Sequence, residues 1–153
     1  MFGGLSSVGQ AFGKYAPFLI ITYTGYQLVT IKPRLYGMLA TVIISYIINV
    51  WLKSWLKQPR PDANIFADSE TQKYGMPSGH MQIYAAVSAF YWLSMRIHPA
   101  WEWIGIGGLM AISAAERYVT RKHSVIQLVV GAIIGTVTGW ATYIFSASRN
   151  RNN

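Results

Sequence analysis

The sequence predicts an all-α integral membrane bundle of about five transmembrane helices. Three observations lead there. Apolar residues make up 52% of the 153 and charged residues only 12%, about half the charged share of a soluble globular domain. The apolar residues fall into five long runs, and most of the charges sit in the gaps between them. So short a chain lacks the polar surface to sheath five such runs, which argues against buried helices of a soluble protein. The length fits one domain over residues 1–153.

In chain order, Met1–Gly13 is uncharged and rich in Gly and Ser, an interfacial lead-in without a signal-peptide cleavage site. Tyr15–Ile31 and Leu35–Leu52 carry no charge. With flanking Lys and Arg snorkelling, each approaches the roughly 20 residues that cross a bilayer core about 30 Å thick. Lys53–Pro77 is the long polar stretch, with Asp62, Asp68, Glu70 and Lys73 around Pro59 and Pro61. Met81–Met95 is uncharged and Ala100–Ala115 carries only Glu102; both are short and must recruit residues at their ends. Ser124–Ser148 is the longest uncharged run, at 25 residues. Within it Gly131, Gly135 and Gly139 line one helix face, which predicts close packing inside the bundle. A polar tail, Asn150–Asn153, follows.

Several polar and aromatic residues have structural readings. Trp51, Trp55, Trp101 and Trp103 fall at predicted helix ends, as in an aromatic belt. Asn49 and Gln82 suit hydrogen bonds between helices, and His98 suits an interfacial anchor. Lys57, Arg121 and Lys122 read as cations near lipid headgroups. Five crossings place the termini on opposite sides. Eight Lys and Arg then lie on one side and five on the other. Once Lys53, Arg60 and Arg117 are assigned to chemistry the sides are equal, so charge does not orient the chain.

Thirteen Lys and Arg against five Asp and Glu give a formal charge of +8. Such an excess suits an anionic membrane surface or a phosphate-bearing substrate. The cations stand at helix ends and form no separate basic domain, which speaks against nucleic acid. The chain has no Cys, excluding disulfides and thiolate chemistry.

Three clusters at the ends of apolar runs carry the chemistry: Lys53 with Arg60-Pro61, then Pro77-Ser78-Gly79-His80, then Arg117 with His123. The 36 residues between His80 and Arg117 allow one helix out and one back, returning the third cluster beside the second. Arg60 and Arg117 can grip a tetrahedral oxyanion in bidentate fashion, and Lys53 adds a point charge. Ser78 and Gly79 stand where a starting helix presents N–H groups to an anion. Two imidazoles suggest divided nucleophilic and acid–base labour. Glu116 reads as an ion-pair partner for one of these cations.

Together the clusters resemble the type 2 phosphatidic acid phosphatase (PAP2) superfamily, whose pattern is K-x6-RP, then PSGH, then SR-x5-H-x3-D. Lys53, Arg60 and Pro61 match the first element, Pro77 to His80 the second, and Arg117 and His123 the third. The motif region is 53–127. Glu116 stands where the family usually has Ser, and Gln127 where it has Asp. The resemblance implies a membrane-embedded phosphatase, using neither metal nor cofactor, that acts on a lipid phosphate or an isoprenoid (polyprenyl) diphosphate. His123 would attack phosphorus and form a phosphohistidine, and His80 would protonate the leaving group. Lys53, Arg60, Ser78, Gly79 and Arg117 would hold the phosphate oxygens. Gln127 would take the place of the residue that orients the nucleophile. The alternative on the same fold is a catalytically impaired relative, a lipid-phosphate-binding or structural membrane protein, of a viral membrane among others.

Overall fold

A computed structural model describes residues 7–62, 73–95 and 98–149. Residues 1–6 of the lead-in, Asp68, Glu70, Arg96 and the tail 150–153 lie outside the described residues. The described chain forms five α-helices: α1 Ser7–Leu28, α2 Lys32–Leu56, α3 Gly79–Ser94, α4 Ala100–Val119 and α5 Val125–Arg149. Each apolar run became one helix. α2 and α5, at 25 residues each, are long and apolar enough to cross a membrane.

The breaks between helices follow from local chemistry. Pro33 sits at the start of α2, where its missing N–H costs nothing. Lys57 ends α2 in the left-handed region, φ 46°, with its N–H on the Lys53 carbonyl. Prolines at 59 and 61 then bar any restart. Ser124 and Gln127 open α5 by mutual capping: the Gln127 Oε1 accepts from the Ser124 N–H at 3.2 Å, and Ser124 Oγ from the Gln127 N–H at 3.4 Å.

Successive helices alternate in direction. One end of the bundle therefore gathers the starts of α1, α3 and α5 with the ends of α2 and α4. The short α3 is the central element, packed against all four others. Its buried residues include Tyr84, Ala86, Val87, Phe90 and Tyr91. Because neighbours sheath it, its 16 residues need not match a bilayer themselves. Outward faces are apolar too, with Ile43, Ile47, Ile104, Ile126, Val137 and Phe145 all exposed.

The most extensive packing joins α3 to α5. The glycine stripe makes it possible. A Cβ at Gly131 would stand 2.6 Å from the Ser78 carbonyl oxygen, and Cβ atoms at Gly135 and Gly139 would collide with the carbonyls of Gln82 and Ala86. Across the α2–α3 face, Asn49 Nδ2 donates to Gln82 Oε1 at 2.8 Å and Gln82 Nε2 to the Ser45 carbonyl at 2.9 Å. The interhelical roles expected for these residues hold.

His98 departs from expectation. Its side chain is 9% exposed, and its Nδ1 lies 2.9 Å from Glu102, which also accepts from the hydroxyls of Tyr23 and Tyr91. A buried carboxylate needs donors, and Tyr23 from α1, Tyr91 from α3 and the nearby His98 converge to supply them. This cluster ties α1, α3 and α4 together at the far end of the bundle.

The seam makes a sharp prediction. Gly135→Val should destabilise the protein by about 1–3 kcal/mol through overpacking. Gly107→Ala, with open space around it, should be neutral or stabilising by about 0.5–1 kcal/mol. Thermal unfolding in detergent separates the two, and equal midpoints would contradict the seam.

Candidate active site

The three clusters converge at the end of the bundle where α3 and α5 begin. Lys53 occupies the last turn of α2. Arg60 follows in the loop, which is pinned by a bridge between Pro59 and Tyr74 and by the Gly75 N–H donating to the Gln58 carbonyl at 2.8 Å. From there Arg60 Nη1 donates to the Lys122 carbonyl at 2.9 Å and to His123 Nε2 at 3.1 Å. Burial, with Arg117 adding repulsion, holds the Arg60 guanidinium below its usual range.

Ser78 caps α3 from an extended conformation and is fully buried. Its backbone N–H is already engaged by the Gln127 carbonyl at 3.0 Å, which corrects the expectation that this amide faces an anion. The Ser78 hydroxyl is buried and has no hydrogen-bond partner among the described residues. The amides that do open the helix are those of Gly79, His80 and Met81. Gly79 sits against Asn49, where a Cβ would come within 3.1 Å of Oδ1. α5 runs parallel to α3 and starts beside it, so two positive helix ends face the same space.

His80 Nε2 contacts the Arg117 guanidinium and lies 3.1 Å from the Lys14 carbonyl. Arg117 ends α4 and is buried. Its Nε stands 2.9 Å from Glu116, whose other oxygen is 2.9 Å from Lys122 Nζ. Glu116 is thus the ion-pair partner it was expected to be. Lys122 is no headgroup cation: it folds back on Glu116 and lends its carbonyl to Arg60.

His123 is buried and held from both sides. Its Nδ1 is 2.9 Å from the Gly75 carbonyl. A carbonyl only accepts and a guanidinium only donates, so both partners require the proton on Nδ1 and the lone pair on Nε2. Burial, with the charges of Arg60 and Lys53 adding to it, pushes this imidazole down to about 3. It is neutral at physiological pH, with its Nε2 electron pair directed at Arg60. Lys53 acts electrostatically on Arg60, His80 and His123 alike.

Gln127 was expected to orient His123, but its side chain is hydrogen-bonded elsewhere and not to the ring. Its Nε2 donates to the Pro59 carbonyl at 2.9 Å and to Gln58 Oε1 at 3.3 Å, and its Oε1 caps Ser124. The Gly75 carbonyl makes the hydrogen bond assigned to it. Sequence reasoning missed Gly75 and the Lys14 carbonyl because a backbone oxygen carries no residue signature. Among the described residues, no three His, Asp or Glu side chains converge as a metal site would need.

The PAP2 superfamily model matches residues 34–151. The chain belongs to the PAP2 superfamily, a helical membrane fold. Among curated relatives it is similar to lipid phosphate phosphatase epsilon 2, chloroplastic, of Arabidopsis thaliana, 32% identical over 109 residues, covering 64% of this chain and 35% of the relative. It is also similar to dolichyldiphosphatase 1 of Homo sapiens, 27% identical over 161 residues, covering 94% of this chain and 66% of the relative. The chain thus spans about a third of the plant relative and under two thirds, by a narrow margin, of the human one. No solved structure matches it.

The depressed imidazole gives a stability prediction. The unfolded chain accepts a proton on His123 near the ordinary 6.5, and the folded chain refuses it until about 3. Stability should therefore fall as pH drops from about 6.5 toward about 3. Unfolding midpoints in detergent from about pH 8 to about pH 4 should show this slope, flattened in His123→Gln.

Proposed function

We propose that this membrane protein is a phosphatase acting on a lipid phosphate or an isoprenoid diphosphate through a phosphohistidine on His123. The observation that carries the reading is the doubly held His123. Its Nδ1–H is fixed on Gly75 and its Nε2 lone pair faces Arg60, amid the charges of Lys53 and Arg117. The printed activities of the relatives, a lipid phosphate phosphatase and a dolichyldiphosphatase, point to the same substrate classes.

In the proposed reaction the phosphate oxygens draw the guanidinium groups of Arg60 and Arg117 onto themselves, because an anionic oxygen is a stronger acceptor than an imidazole nitrogen. Lys53, the Ser78 hydroxyl and the amides at the start of α3, that of Gly79 among them, complete the cradle. His123 Nε2 then attacks phosphorus, the P–N bond forms and the bond to the leaving oxygen breaks. Protonated His80 passes its proton to that oxygen. Water next attacks the phosphohistidine, His80 takes its proton, and inorganic phosphate leaves with His123 restored. Cations and imidazoles meet the charge demands of phosphoryl transfer here, so the reaction is proposed as metal-independent.

Gln127 does not touch the His123 ring. The impaired-relative reading leaned on Gln127 and Glu116; here Gln127 is engaged with Pro59, Gln58 and Ser124, and Glu116 pairs with Arg117 and Lys122. We also assign all five helices to membrane crossings, with the site at one membrane surface.

Phosphate release in detergent from phosphatidate, lysophosphatidate and a polyprenyl diphosphate tests the activity. At least one should be hydrolysed with EDTA present, and His123→Ala should fall to background. Arg60→Lys keeps the charge and loses the fork, so kcat/KM should drop roughly 10- to 100-fold. Activity that needs added Mg²⁺, or that survives His123→Ala, contradicts the mechanism. Retention in the membrane pellet through carbonate washing checks the architecture, and release by it would refute multiple crossings.

A further inference from the structure

Resting on the phosphatase reading, we infer that the Gly75 carbonyl is the group that fixes the attacking tautomer of His123, and that Gln127 is the positioning residue that holds it there. The His123 Nδ1 to Gly75 oxygen distance is 2.9 Å. Within the described residues no carboxylate has a hydrogen bond to the ring: Glu116 is taken by Arg117 and Lys122. The backbone oxygen must therefore keep the proton on Nδ1.

A carbonyl in a loop holds a ring only if the loop itself is held. Gln127, 2% exposed, does this with nearly every polar atom it owns. Its Nε2 donates to the Pro59 carbonyl and to Gln58 Oε1. The Gln58 carbonyl in turn accepts the Gly75 N–H at 2.8 Å. The Gln127 backbone oxygen accepts from Ser78, and its Oε1 caps Ser124. One residue, through side chain and backbone, thus ties together the segments carrying Arg60, Gly75, the α3 start and His123. Gly75 lies flat against it, and a Cβ there would collide with the Gln127 amide. A carboxylate at 127 could not donate to Pro59, so the amide is the chemistry this arrangement requires. An Asp-type relay and a Gln clamp are alternative solutions to one demand, the correct tautomer at the correct angle.

The test uses full-length protein, labelled with 15N-histidine, in detergent. The His123 signals are assigned by their loss in His123→Ala. Wild type should show Nδ1 protonated and Nε2 unprotonated at neutral pH. Gln127→Glu removes the donor while keeping length. It should give mixed tautomers and lower kcat roughly 10²-fold through nucleophile misplacement, with KM within about two-fold. Gln127→Asn, one methylene shorter but still a donor, should fall between, and carries both readouts if the Glu variant does not fold. A protonated Nε2 in wild type overturns the proposal. So does a variant at 127 whose tautomer and kcat both match wild type. The tautomer is read without substrate, so a wild type that hydrolyses no lipid phosphate would overturn the proposed function and leave this inference to be decided by its own spectrum.

Discussion

Backbone contact between α3 and α5 is the constraint on which the rest of the structure depends. The two helices run parallel, and Gly131, Gly135 and Gly139 offer no side chains to the carbonyls of Ser78, Gln82 and Ala86. Both rows advance by four residues, so one register serves the whole seam. At its upper end the seam sets the Ser78 N–H on the Gln127 carbonyl and brings His123, just before α5, to the same end of the bundle as His80, just inside α3. Two parallel helices with adjacent N-termini are electrostatically unfavourable alone. They become useful where an anion must sit.

How much of this the sequence shows depends on whether residue type or backbone carries the role. The spacings of Lys53, Arg60, His80, Arg117 and His123 are legible because each role needs a particular side chain. The glycine stripe is legible because only the absence of a side chain allows that approach. α3 was read as short for a crossing; its place at the centre of the bundle, not its composition, resolves the difficulty. The pairing of His98 with Glu102 is local, four residues apart, but Tyr23 and Tyr91 reach the same carboxylate only once α1 and α3 pack against α4. Gly75 and Lys14 act through carbonyls, which any residue possesses. Gln127 was legible as a departure from pattern but not in its direction. Its side chain turns away from His123 toward Pro59, and only the path of the 57–62 loop decides that.

Charge in the site is deliberately unbalanced. Arg60 and Arg117 repel each other, and both are partly desolvated. Glu116 offsets part of this by pairing with Arg117 and Lys122. Removing Glu116 would leave two cations without their counter-ion in a buried setting, which is costlier than the pair is worth. Where the family usually has Ser, this chain thus carries an internal counter-ion for its own cation cluster. The remaining positive charge is available to a phosphate dianion, and bound phosphate would return the folding free energy that the cluster costs.

The two imidazoles show how that charge couples to the proposed chemistry. Arg60 caps the lone pair of His123 Nε2, and Arg117 contacts Nε2 of His80. For His80 the two neighbours conflict. Arg117 requires a lone pair on Nε2 and the Lys14 carbonyl requires a proton there, so one nitrogen cannot satisfy both at once. A phosphate that draws Arg117 away ends the conflict, and its negative charge beside the ring favours uptake of a second proton from solvent, giving the imidazolium that a general acid needs. The same phosphate draws Arg60 away and uncovers the lone pair of His123, which is the form a nucleophile needs. Nδ1 of His123 stays on Gly75 throughout, so the ring does not have to choose a tautomer at the moment of attack. On the proposed reaction, the binding of one dianion thus prepares acid and nucleophile together, by removing from each nitrogen the guanidinium that the anion binds more strongly.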